Sequence, residues 1–228
     1  MAFNYSPKTV TDGLVLYLDA ANIRSYVSGS TRWNDISRGG NNGTLTNGPT
    51  FNSGNGGSIV FDGVDDYVDT SYVLPTGFNY SMACWAKSST SGINNRPVGN
   101  ADNNVGLTGA DIIWGFPTST TLYIVRRAGS NDGTRDMTYS VPNLLTVAHH
   151  IFVTYDSAIG SKLYVDGVQV TQNTNLGFTS TLPFRVGRDG NGTTAFNGTV
   201  YNVQIYDRAL SSQEVLQNYN ALKGRFGL

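Results

Sequence analysis

The chain is short of charge, cysteine and glutamate. Asp, Glu, Lys and Arg make up 14% of its 228 residues and nearly cancel, leaving a formal net charge of -1. The 15 Lys and Arg are scattered from Lys8 to Arg225, and only Arg126 and Arg127 are adjacent. A nucleic-acid binder needs a basic stripe, so no nucleic-acid partner is expected. Cys84 is the single cysteine, so no internal disulfide forms. Its setting, Met82-Ala83-Cys84-Trp85-Ala86, is that of a small buried apolar residue, and a thiol away from cations stays protonated. Met1 to Asp12 carry no apolar run, and neither a secretion signal nor a membrane span is expected. Work outside a cell would then follow lysis or carriage on a particle.

What is present is strand and turn chemistry. All-β chains of this length form one domain, and one this size buries roughly 70–75% of its unfolded surface. A short arm is expected over 1–12 and one domain over 13–228. Residues 13–20 are an apolar run, a strand buried on both faces. Residues 21–57 are dense in Gly, Asn, Ser and Thr, with Asn-Gly pairs at 42, 47 and 55, and are expected as loop, pinned to the core by Trp33 and Ile36. Strands are expected at 58–62, 66–70, 78–87, 112–116, 121–127 and 147–155, with weaker ones near 95–99 and 104–107.

The last third is more ordered in pattern. Lys162 to Val165 precede Asp166-Gly167, a hairpin-turn pair between two β-rich runs. Pro183-Phe184-Arg185-Val186-Gly187-Arg188, Phe196-Asn197-Gly198-Thr199 and Val203-Gln204-Ile205-Tyr206-Asp207-Arg208-Ala209-Leu210-Ser211 follow. Ser211 stands three residues before Glu214, a capping box. Val215, Leu216, Tyr219 and Leu222 then recur at helical spacing, and Gly224 is the expected stop. This helix is expected to pack Leu216 and Tyr219 on the sandwich edge.

These motifs, with Trp33-Asn34-Asp35-Ile36-Ser37, Asn41-Asn42-Gly43-Thr44 and Val60-Phe61-Asp62-Gly63-Val64-Asp65-Asp66-Tyr67-Val68, resemble the laminin-G-like, concanavalin A-like jelly-roll family over about 13–222. The resemblance implies an all-β fold: a two-sheet antiparallel jelly-roll sandwich with one short C-terminal helix. The wording of 42–49 and of 220–227 is similar to versions found in tailed-phage virion proteins. Many relatives carry Asp-Glu where this chain has Tyr201-Asn202, and Tyr201 supplies no carboxylate for a structural calcium. Relatives also place calcium near the rim that Asp19 shares with the Asn41-Asn42 loop, which makes Asp19 and Asn42 candidate Ca²⁺ ligands. The Asp62, Asp65, Asp66 and Asp69 group is read as a tight turn with solvated carboxylates; calcium there is the alternative.

The same fold houses glycoside hydrolases, which need two carboxylates in complementary roles. This chain has one glutamate, Glu214, already placed in the helix cap. No two Asp alternate within a strand, and no nucleophile elbow, phosphate loop or zinc-helix motif is present. His149 and His150 are adjacent, so a strand points them to opposite faces; one is expected packed and the other exposed or on the concave face. No catalytic residues are expected.

A binding surface remains. Exposed rings stack on a sugar's apolar face while Asn or Asp read its hydroxyls. Trp114, Tyr123 and Arg126, on two central strands, are the candidate ligand residues. The reading is a non-enzymatic virion decoration protein, made in the host cytoplasm, with other capsid or tail proteins as partners. Surface glycans and a homo-oligomer on the particle are further possible partners. The alternative is a free-standing lectin or a carbohydrate-binding module associated with glycan degradation.

Overall fold

The computed structural model describes residues 7–74, 79–92, 95–100, 110–128, 137–174, 183–189 and 194–228, and of 110–113 and 125–128 the backbone alone. Two antiparallel sheets stack face to face. The first runs β14 (Val168–Asn173), β13 (Gly160–Val165), β12 (His149–Asp156), β7 (Tyr80–Ser88), β16 (Asn197–Tyr206), β5 (Ser58–Asp62) and β4 (Thr50–Asn52). The long β16 also pairs with β1 (Leu14–Asp19) beyond the end of β5. The second runs β11 (Met137–Ser140), β10 (Thr121–Ala128), β9 (Ala110–Gly115), β8 (Val98–Gly99), β15 (Pro183–Val186), β6 (Tyr67–Val73), β3 (Gly43–Thr46) and β2 (Arg32–Trp33). This is the expected jelly roll.

The core lies between the sheets and is built by alternation. Met82, Cys84, Ala86, Ile151, Val153, Val203 and Ile205 enter it from the first sheet. Val68, Val98, Trp114, Leu122, Ile124, Phe184 and Val186 enter from the second. Cys84 is sealed there, and burial pushes its thiol up, away from the reactive range. Trp33 pins the 21–57 segment as expected, whereas Ile36 is only half-buried. That segment is not all loop: β2, β3 and β4 lie within it. Asp35 organises its turn, its carboxylate accepting from the backbone N–H of Tyr17 (2.8 Å), Ser37 (2.8 Å) and Asn41 (2.8 Å). The Asp166-Gly167 turn carries φ of 51° and 81°, the pair of left-handed residues that a two-residue hairpin needs.

The helix α1 (Ser212–Leu222) has both halves of its capping box. Ser211→Ala is expected to cost about 1 kcal/mol, read as a shift in the urea midpoint. Its placement differs from expectation. Val215, Asn218 and Leu222 are buried while Leu216 is exposed, because the helix lies on the outer face of the first sheet rather than at an edge. The chain passes Gly224 in a 3-10 turn, Lys223–Phe226, and stops at Gly227, whose φ is 72°. Residues 7–12 of the arm dock beside α1: the Val10 N–H donates to Asn218 Oδ1 (2.7 Å), and the Tyr206 hydroxyl donates to the Val10 carbonyl (3.1 Å). Residues 1–6 of the arm lie outside the described residues, as does the strand expected near 104–107.

Candidate functional site

The two outer faces of the sandwich differ. On the first sheet, α1 and the arm cover Ala83, Phe152, Tyr164 and Tyr206, and the chain end covers Trp85. No described helix packs on the outer face of the second sheet. Because Phe184 and Val186 face the core, Arg185 faces out; because Val68 and Thr70 are buried, Tyr67 and Asp69 face out. Register then brings them together, with Arg185 opposite Asp69 across β15 and β6. The Arg185 guanidinium lies 5.0 Å from the centre of the Tyr67 ring and that of Arg188 lies 5.6 Å from it. Arg185 Nη2 donates to Asp69 Oδ2 at 3.5 Å. Nearby, the buried Arg96 and Asp189 pair at 3.3 Å, which anchors the turn after β15. The patch therefore brings an aromatic ring, planar guanidinium groups and a carboxylate together on one face of the sheet.

The sequence candidates land elsewhere. Trp114 is fully buried in the inter-sheet core and shows no face to a ligand; alternation along β9 turns it inward. Tyr123 lies between the buried Leu122 and Ile124 and faces out, half-buried. The Arg126 backbone pairs with Ile112, and its side chain lies outside the described residues. Asp19 is no open metal ligand: Arg225 Nη1 donates to its Oδ1 (2.8 Å) and the Tyr17 hydroxyl to its Oδ2 (3.3 Å). Asn42 is committed locally, accepting from the Asp35 N–H (3.1 Å) and donating to the Gly40 carbonyl (3.1 Å). Neither histidine is exposed. His149 Nδ1 is 2.8 Å from Asp166 Oδ2, and His150 lies under α1, where burial lowers its pKa to about 3.

Asp62, Asp65 and Asp66 bring their carboxylates within 4.8 Å of one another. Burial raises the Asp66 pKa, against the pull of the Asp62 N–H that donates to it. The geometry is that of one turn. Asp62 Oδ1 accepts from the Val64 N–H (2.7 Å) and Asp66 Oδ2 from the Asp62 N–H (3.1 Å). The groups cap their own loop rather than face each other across a cleft. An open groove of about 270 Å³ lies at the start of α1, lined by Thr154, Asp156, Lys162, Tyr164 and Ser212 among others. Glu214 borders it, but Arg208 grips both of its oxygens, and with Ser211 holds its pKa down to about 2.

Comparison with known proteins agrees with the fold. The model of a family described as the concanavalin A-like lectin/glucanases superfamily matches residues 62–216. The chain belongs to this superfamily. Domain 4 of AbnA, a GH43 extracellular arabinanase from Geobacillus stearothermophilus solved with arabinotriose, aligns over 92% of this chain and 100% of its own, at 17% identity and a TM-score of 0.69. Trypanosoma rangeli sialidase in complex with sialic acid aligns over 93% of this chain at 18% identity and a TM-score of 0.63, and this chain spans 33% of it. The CBM40 of Ruminococcus gnavus IT-sialidase, bound to α2,3 sialyllactose, aligns over 70% of this chain and 94% of its own, at 15% identity and a TM-score of 0.55. At these identities the likeness is one of fold. No curated protein sequence matches the chain.

Sequence reasoning passed over Tyr67, Arg185 and Arg188 as site residues, although all three sit in the motifs that mark the fold, and it weighed Asp69 only for calcium. The signal was there: in Phe-Arg-Val, a charge between two apolar residues of a strand faces away from the core.

Proposed function

We propose that this superfamily member is a non-catalytic glycan-binding sandwich that engages sugars on the outer face of its second sheet, around Tyr67, Asp69 and Arg185. The observation that carries the reading is the asymmetry of the two outer faces. One is sealed by α1 and the chain end, and the other presents a ring, guanidinium groups and a carboxylate in register. Planar groups of this kind read pairs of hydroxyls, and a half-buried ring excludes water beside them. The lack of catalysis is supported by Glu214, which is clamped by Arg208 in the ionised form and unsuited to acid catalysis. A single site of this sort binds with a Kd on the order of mM.

Repetition on a particle would turn weak binding into avidity. The similarity of residues 42–49 and 220–227 to tailed-phage virion proteins supports a place as a decoration protein on such a particle. The alternative, a module attached to glycan degradation, is supported by the end-to-end match with the arabinanase domain. A glycan array probed with multivalent protein, with and without chelator, tests the binding. Signal is expected from the full chain, with at least a tenfold loss in Tyr67→Ala and Arg185→Ala; a flat array overturns the reading. The chelator arm reports whether a cation at the Asp62–Asp66 turn contributes. Detection of the protein in purified phage particles supports decoration, and its absence from them counts against it.

A further inference from the structure

The sealed face of the first sheet holds more polar chemistry than its cover satisfies. His150, Trp85 and Asn202 stand side by side on β12, β7 and β16. Gln204 follows on the same face, two residues along the strand. All four are fully buried. Both ring nitrogens of His150, the Trp85 indole N–H and every amide atom of Asn202 and Gln204 lack a hydrogen-bond partner among the described residues. Buried polar groups are ordinarily satisfied, so a whole patch of unused donors and acceptors calls for a partner. Asp19 and Tyr17 continue the patch on β1, in register with Asn202 and Gln204.

The cover over this floor is aromatic. Phe226 lies flat on Trp85, ring centres 4.1 Å apart and planes 11° apart. Tyr219 stacks 5.7 Å from Trp85 and 6.1 Å from His150. The segment carrying Phe226 is a single 3-10 turn with no buried residue. It is tied down by Arg225, which reaches Asp19, the Asn55 carbonyl (3.2 Å) and the Gly57 carbonyl (3.0 Å). A flat indole ringed by amides and an imidazole is the arrangement that suits a sugar: the ring takes the apolar face and the amides pair with hydroxyls.

We propose that this face is a second, latent subsite for a neutral sugar ring, and that residues 223–228 are a strap that closes it, with Phe226 standing where the sugar would stack. The ligand class rests on the glycan-binding reading above; the strap does not. The sugar is neutral because lifting Arg225 away leaves Asp19 as the one charged side chain among the floor residues, which favours hydroxyl donors and repels acidic sugars.

The test compares the full chain with one lacking 223–228, using arabinotriose and maltotriose as probes in titrations followed by tryptophan emission and calorimetry. The shortened chain is expected to bind one of them at least tenfold more tightly than the full chain. That gain should disappear when Asn202→Ala and Gln204→Ala are added. A shortened chain with native circular dichroism and unchanged affinity overturns the proposal. Should the deletion fail to fold, Phe226→Ala in the full chain decides, with a gain of about threefold expected and no change overturning it. Loss of array signal in Arg185→Ala without any gain here removes the latent subsite alone. A gain here with a flat array from the full chain removes the open-face site alone.

Discussion

Replacing Trp114 by alanine is expected to lower the unfolding free energy by about 3–5 kcal/mol, the range for deleting a large buried aromatic. The ring is fully buried between the sheets, on a strand pair that sets it opposite Ile124. A close-packed interior does not collapse onto such a gap, so lost contact and residual cavity add. Urea denaturation with an unchanged slope would report the loss as stability alone. Tyr123→Ala, one position from Ile124 but facing out, is expected to cost about 1 kcal/mol. The contrast separates packing from binding. If Trp114→Ala kept full stability and lost glycan signal, the ring would belong to a site after all.

Acid is expected to weaken the fold by about 2–3 kcal/mol between pH 7 and pH 4.5, chiefly through His150. Burial lowers its pKa to about 3, with the nearby Asp166 charge acting the other way. An unfolded histidine takes its proton near pH 6.5. Between those values the unfolded chain binds more protons, so stability rises with pH: it is full above about 6.5 and falls by about 1.4 kcal/mol per unit below it. Glu214 has the same sign lower down, because Arg208 and Ser211 depress its pKa to about 2. Its contribution is present above the usual carboxylate range and lost as pH falls through 4.5 toward 2. Since the side chain is 28% exposed, screening keeps that contribution below about 1 kcal/mol. Asp66 runs opposite: its raised pKa favours the fold in acid and loses that advantage as pH rises. Urea midpoints at pH 7, 5.5 and 4.5 measure the sum. His150→Phe should flatten the limb between 6.5 and 4.5, and an unchanged slope there would place the acid sensitivity elsewhere.

Much of the fold is legible locally. The strand at 58–62 coincides with β5, and the alternating run at 147–155 overlaps β12. The Asp166-Gly167 hairpin and the Ser211–Glu214 cap form as their residue types require, since a turn or a cap is decided by φ and by a donor within three residues. The short strands β2, β3 and β4 were hidden in Asn- and Gly-rich text because a strand of two to four residues carries too little alternation to outvote its turns.

The site was less legible, and Trp114 shows why. An aromatic on a central strand has the same local pattern whether it faces sugar or core; only the partner sheet decides. Asp19 looked like a rim carboxylate until Arg225, 206 residues away, was seen to neutralise it.

The amino-acid order by itself determined the class of fold, the turn chemistry and the helix start, because each depends on neighbours within a few residues. Only the tertiary structure decided which face of each sheet is covered, since that depends on where α1 and the chain end come to rest. Packing across the sandwich sends Trp114 inward and leaves Tyr67 and Arg185 outward. It also seats Phe226 on Trp85, a contact between residues 141 positions apart in the numbering.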